Sequence, residues 1–211
     1  MFNNFTKYIN ELLYVIPAVL FVLTIHEFGH AYVAYRMGDT TAKEQGRLSL
    51  NPFRHIDPIG LLALIIFHFG WGKPVPVDFT ALKNLRKGMV LVSLAGPLSN
   101  LLTALLLSPL YNFLSSNAIA LSAFGYFVSL FQYIIVLSVY LAIFNLIPIP
   151  PLDGSKIVFA FTKNPLRFLY DEALNYYGIV FLIILISVPF FRFEYFFLKI
   201  IGPILNLLSK L

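Results

Sequence analysis

Apolar runs separated by proline, glycine and clustered charge set the pattern of this chain. The first run, Leu12 to Met37, is broken only by His26, Glu27, His30 and Arg36 among its titratable imidazole and charged positions. A membrane-spanning helix needs about 20 apolar residues, so a first span is expected here, closed by Gly38-Asp39. Pro17 falls in its early turns, where proline is best tolerated. A polar stretch, Thr40 to Asn51, leads into Asn51 to Gly60, which is rich in turn formers. The next apolar run, Ile59 to Phe69, is short, and runs of about 10–14 residues are more often re-entrant or interfacial than spanning. Trp71 to Phe79 carries Pro74 and Pro76 at alternate positions, which suits an extended edge strand. Two further spans are expected at Gly88 to Leu110 and Phe124 to Ile147, joined by the uncharged loop Tyr111 to Ala123. Pro148, Pro150 and Pro151 must end the later one. Ser155 to Glu172 reads as surface-lying. Tyr176 to Phe191 and Tyr195 to Leu208 read as closing spans with aromatic ends (Tyr176, Tyr177, Phe190, Phe191, Tyr195, Phe196, Phe197). The expected fold is an all-α polytopic membrane protein, with about five transmembrane helices and a short re-entrant or β-hairpin membrane segment. A single domain is expected over residues 1–211, with a catalytic core about 12–155 and closing helices about 176–208.

Composition supports the membrane assignment. Of 211 residues, 59% are hydrophobic and 12% charged, with mean hydropathy +0.81, against about 25% charged in a soluble domain. The net charge of +5 therefore reads as a topology signal, and no nucleic-acid partner is expected. Arg36, Lys43, Arg47, Arg54, Lys73, Lys83, Arg86 and Lys87 lie between the first two long spans, and Lys156, Lys163 and Arg167 follow the third. The positive-inside rule then puts the N-terminus outside and both charged connections in the cytoplasm. Met1 to Glu11 lacks the basic start and cleavage site of a signal peptide, so the first helix is expected to be retained. A compact chain of this kind fits a multi-pass protein of a prokaryotic plasma membrane. There are no cysteines, so a metal would have to be held by His, Asp, Glu or Asn.

The polar residues inside the first span supply candidate chemistry. His26 and His30 are four apart and share a helix face. With Glu27 they form H-E-x-x-H, which offers two imidazoles to zinc and a carboxylate able to act as base. A charged side chain at mid-span costs about 2.5–3.5 kcal/mol on insertion scales and usually marks function. Asp153 lies at the inner end of the third span, at the same depth and side as the two histidines. Alone, Asp153-Gly154 would read as a helix N-cap after a proline turn. Paired with the histidines, Asp153 could be a third ligand, leaving the fourth position of a tetrahedral zinc open.

His26-Glu27-Phe28-Gly29-His30, with Asn145-Leu146-Ile147-Pro148-Ile149-Pro150-Pro151-Leu152-Asp153-Gly154, resembles the site-2 protease family of intramembrane zinc metalloproteases. Gly96-Pro97-Leu98-Ser99-Asn100 is similar to that family's G-x-x-x-N/S/G signature on an intervening helix. Gly46 to Pro52, His55 to Gly60 and Gly72 to Val77 are similar to compact members without PDZ or CBS domains. The likeness runs from about Phe21 to Ser155 in family order. It implies one Zn2+ per chain on His26, His30 and Asp153, with Glu27 as catalytic acid and base. It also implies that Asn145 orients substrate or stabilises an oxyanion, a task suited to an amide donor. Asn100 would then lie at the substrate or between helices, and Gly96 would permit close packing. The implied reaction is hydrolysis of a peptide bond in or near a transmembrane segment of a protein substrate, near the cytoplasmic face.

A helical substrate hides its carbonyls in hydrogen bonds and must unwind before attack. Gly72, Pro74 and Val75, in the stretch Gly72 to Phe79, could pair with the unwound chain as an added strand. The same stretch could instead be a hairpin that simply covers the site. His55 and His68 are possible additional ligands, with structural or interfacial roles preferred for both. A small transporter and a catalytically idle scaffold are the alternatives; the intact Glu27 argues against the second. Four histidines in all are too few for a multi-histidine di-iron centre.

Overall fold

A computed structural model describes residues 2–67, 70–187 and 193–211. Helix α1 spans Phe2–Met37, of which Asn10–Met37 is apolar enough to cross a membrane. It begins earlier than the apolar run, since helix geometry continues through the polar residues before Leu12. It stops at Gly38, whose φ of 112° is a conformation that a Cβ would strain. Helix α2, Thr41–Glu44, a 3-10 turn at Pro52–Arg54 and helix α3, Pro58–Phe67, follow.

Helices α4, Leu85–Ser116, and α5, Ala118–Asn145, are the other two of membrane-spanning length. The expected loop Tyr111 to Ala123 does not form. One residue, Asn117, joins the two helices, and its side chain caps α5 by accepting from the N–H groups of Ile119 and Ala120. That single cap lets helix occupy nearly the whole apolar connection. Phe124, the expected start of the third span, is instead a kink inside α5, with φ −124° and ψ 22°.

Among the described residues four shorter helices follow: α6, Asp153–Ala160; α7, Pro165–Leu169; α8, Glu172–Ser187; and α9, Phe193–Leu208. At about 1.5 Å per residue, the 16 residues of α8 or α9 fall short of a hydrocarbon core of about 30 Å. Among the described residues, three helices rather than five reach spanning length and composition. Phe190, Phe191 and His68 lie outside the described residues. Tyr176, Tyr177 and Tyr195 are exposed as expected, whereas Phe197 is buried, its ring 4.7 Å from that of Tyr140.

The three long helices meet through alanines interleaved with larger apolar side chains. Ala18, Val22 and Ile134 form one buried cluster; Ala34, Met89 and Val92 belong to another. At Gly29 a methyl would stand 2.8 Å from the Ala95 carbonyl oxygen, so α1 and α4 approach along this line. That contact sets the histidine face of α1 against α4.

The described residues contain no β-strand, only an isolated antiparallel bridge between Ile56 and Gly72. The expected edge strand at Trp71 to Phe79 is an extended strap. Pro74 and Pro76 remove alternate N–H donors, leaving too few for a ladder. Side chains and isolated carbonyls hold it instead. The Lys73 N–H donates to the His55 carbonyl at 2.9 Å, and Arg47 Nη2 to the carbonyls of Lys73 and Pro74 at 2.7 and 3.3 Å. Asp39 accepts from the Asp78 N–H at 2.9 Å. A methyl on Gly60 would collide with the Trp71 carbonyl, so the chain returns from α3 beside the point where it left.

Candidate metal centre

The centre is built where α1, α4 and the start of α6 converge. His26 and His30 sit on one face of α1 because they are one helical turn apart. Their Nε2 atoms are 3.0 Å apart. Asp153 is the first residue of α6, placed there by the proline-rich break after α5. Its Oδ2 lies 3.3 Å from His26 Nε2 and 3.0 Å from His30 Nε2. All three residues are buried. A methyl on Gly154 would collide with the Leu146 carbonyl, so glycine lets the chain turn from α5 into α6 and carry Asp153 inward.

The arrangement fits a divalent metal. His30 Nδ1 lies 2.7 Å from the Val92 carbonyl oxygen, which can only accept. The His30 hydrogen is therefore on Nδ1, and Nε2 turns a lone pair toward His26 and Asp153. Asp153 Oδ2 is buried and has no hydrogen-bond donor, so it too presents lone pairs to the same point. Ligands about 2.0–2.2 Å from one zinc at tetrahedral angles stand about 3.3 Å from each other, close to the separations found here. Gly96 supplies the floor of the site. A methyl there would collide with His30 Nε2 and lie 2.7 Å from His26 Nε2.

Each metal-facing group is backed by a second contact. His30 has the Val92 carbonyl, and His26 Nδ1 lies 3.2 Å from Asn100 Nδ2. Asp153 Oδ1 accepts from Lys156 Nζ at 2.8 Å, which turns the other carboxylate oxygen toward the imidazoles. Such contacts fix ligand orientation. Sequence alone does not assign the backing by Lys156, and it gives Gly96 a packing role without saying what it packs against. The i,i+3 spacing of Asp153 and Lys156 was a usable signal, and so was the four-residue spacing of Val92, Gly96 and Asn100 along one face of α4.

Glu27 points to the strap, not into the triad. Its Oε2 accepts from the Val75 N–H at 2.7 Å. Two expected site regions, Glu27 and Gly72 to Val75, are thus brought into contact. Pro74 contributes its carbonyl to Arg47, and Gly72 faces Leu23 and the His55 carbonyl. Asn145 donates from Nδ2 to the Leu141 carbonyl of its own helix at 2.9 Å. His55 is buried away from the triad, its Nε2 2.8 Å from the Ser49 carbonyl.

Comparison with known proteins agrees with this chemistry. The model of peptidase family M50 matches residues 115–185, which include Asn145 and Asp153. "Putative zinc metalloprotease YwhC" of Bacillus subtilis (strain 168) is 40% identical over 177 residues, 82% of this chain and 80% of that protein. "Putative zinc metalloprotease Rip2" of Mycolicibacterium smegmatis is 37% identical over 153 residues, 70% of this chain and 57% of the relative. Its Mycobacterium tuberculosis (strain H37Rv) namesake is 35% identical over 184 residues, 83% of this chain and 67% of the relative. No solved structure matches the chain. A likeness that extends over four fifths of a relative's length, on a chain with three spanning helices and a buried His-His-Asp cluster, is not a local coincidence: the chain belongs to peptidase family M50, the site-2 protease family, and is a zinc metallopeptidase of the membrane.

Proposed function

We propose that this protease cuts a peptide bond in or near a transmembrane segment of another membrane protein, on the cytoplasmic side of a prokaryotic plasma membrane. The observation that carries the reading is the burial of His26, His30 and Asp153 between apolar helices, with Glu27 one position along the same helix. A soluble substrate would have no reason to require a site at that depth. The basic residues of both charged connections support the cytoplasmic side. In this reading residues 12–155 form the catalytic core, and α8 and α9 complete the membrane domain.

His26 and His30, through Nε2, and Asp153, through Oδ2, would hold the zinc. Zinc held by three protein ligands supplies Lewis acidity toward water and toward the substrate carbonyl. Glu27 takes the proton from the attacking water and passes it to the leaving amine. To do so it gives up its bond to the Val75 N–H. The strap then presents the freed Val75 N–H, beside Gly72 and Pro74, to an unwound substrate. Asn145, released from the Leu141 carbonyl, places its amide near the developing oxyanion.

A cavity of about 490 Å³ lies between α1, α3 and α5, lined by Val19, Leu23, Leu61, Trp71, Leu141 and Phe144 among others. Val19 and Leu23 continue the Glu27 face of α1 at four-residue spacing, so the cavity leads along that face toward the base. Its lining suits an apolar segment. Substrate trapping tests the proposal. A Glu27→Gln chain expressed in native membranes should retain uncut membrane proteins that the wild type releases. Recovery of only soluble proteins, or of none that wild type cleaves, would overturn the membrane-substrate reading while leaving the zinc chemistry intact.

A further inference from the structure

We infer that Asn100 is a positioning residue for the metal: its carboxamide oxygen sets which ring nitrogen of His26 carries the hydrogen, keeping Nε2 free toward the centre. The inference rests on the zinc reading of His26, His30 and Asp153.

Asn100 is fully buried on α4, one turn beyond Gly96 and two beyond Val92. The Val92 carbonyl settles the hydrogen of His30 because a carbonyl can only accept. His26 has no such one-way partner. Its Nδ1 lies beside a carboxamide, which can donate through nitrogen or accept through oxygen. With Nδ2 toward the ring, Nδ1 accepts and the imidazole hydrogen sits on Nε2. His26 then has no lone pair to offer a metal. With the amide turned by half a revolution about its Cβ–Cγ bond, Oδ1 accepts from Nδ1–H and Nε2 is freed to ligate. The two orientations have nearly the same shape, so hydrogen bonding decides between them.

Geometry favours the oxygen as the working atom. Among the described contacts the Asn100 carboxamide meets only His26 Nδ1, and His30 already turns a lone pair from Nε2 toward His26 Nε2 at 3.0 Å. Two imidazoles both presenting lone pairs there suit a shared cation, and His26 reaches that state only with an acceptor at Nδ1. Asn100 thus does by side chain what Val92 does by backbone.

The alternative is that Asn100 merely joins helices. Asn112, on the same helix, is an internal example: its Nδ2 donates to the Leu208 carbonyl on α9 at 3.1 Å, far along α4 from the centre. The test compares zinc affinity, by competition with a chelator, and melting temperature for the full chain in detergent. Asn100→Leu should bind zinc about 10–100-fold more weakly. Asn100→Asp, which can accept the same hydrogen but cannot donate, should bind zinc at least as tightly as wild type. Asn112→Leu should lower the melting temperature with zinc affinity unchanged. Wild-type affinity in Asn100→Leu, or an equal loss in Asn100→Asp, would overturn the inference and leave the metalloprotease reading standing. If Asn100→Leu does not fold, Asn100→Asp decides: retained affinity supports the oxygen's role, and a loss of about tenfold or more overturns it. A wild-type chain that binds no zinc would overturn the metal reading itself, and this inference with it.

Discussion

The two histidines and the glutamate of one motif are held by different kinds of structure. His26 and His30 are backed by α4, a 32-residue helix, through the Val92 carbonyl, Gly96 and Asn100. Every one of those contacts is buried. Glu27 is backed by the strap at residues 72–78, through the N–H of Val75, and the strap itself hangs on Arg47, Asp39 and the His55 carbonyl. A helix wall holds ligands still, as metal binding demands. A strap without ladder hydrogen bonds hangs on side chains and isolated carbonyls, and in the proposed mechanism it parts from Glu27 to admit water and substrate. The contrast suggests that damage on the α4 side should remove metal, and that damage on the strap side should change access while metal stays.

The largest effect is expected at Asp153, the proposed third ligand. Asp153→Ala should lower zinc from about one per chain toward none and abolish cleavage, because two imidazoles alone leave the site open. Elemental analysis of purified protein checks this, and full zinc retention would remove Asp153 from the ligand set. Next comes the floor of the site. Gly96→Ala puts a methyl where His30 Nε2 now lies, so zinc should again be lost. Zinc content near one per chain in that variant would show that α1 and α4 can move apart at no cost, against the helix-wall account.

A smaller effect is expected on the strap. Arg47→Ala removes a charged donor to two carbonyls, and hydrogen bonds to charged groups contribute about 1.5–3 kcal/mol. Hydrogen exchange at the Val75 amide should quicken by about tenfold or more, with zinc content unchanged. Unchanged exchange would mean that the strap is held by something other than Arg47. The smallest effect belongs to Gly125 on α5, where a methyl meets nothing within 4 Å. Gly125→Ala should leave zinc and cleavage as they are, with a gain of about 0.5–1 kcal/mol in helix stability.

Much of the centre was legible beforehand. H-E-x-x-H needs only helix periodicity to bring His26 and His30 together, and charge placement put Asp153 at their depth. The mutual approach of α1 and α4 was carried by glycines whose purpose shows only when the partner helix is present. Gly96 was read as a packing residue, and it is one, but what it packs against is the metal-facing nitrogens. By sequence the strap suits an edge strand, because its two prolines alternate. Strand formation needs a partner with free donors and acceptors, and here side chains from distant positions took that place. Arg47 looked like one more cytoplasmic charge, since no local pattern ties it to Lys73. The turn between α4 and α5 was overestimated for a similar reason: an uncharged stretch resembles a loop until a single asparagine caps a helix through it.

In the proposed mechanism zinc binding and proton transfer reside in separate residues of one motif. Zinc content and cleavage of a membrane substrate, measured on the same Glu27→Gln preparation, test it directly. The account predicts about one zinc per chain with cleavage reduced by about 10²–10⁴-fold. Cleavage at the wild-type rate, or loss of zinc along with activity, would contradict it.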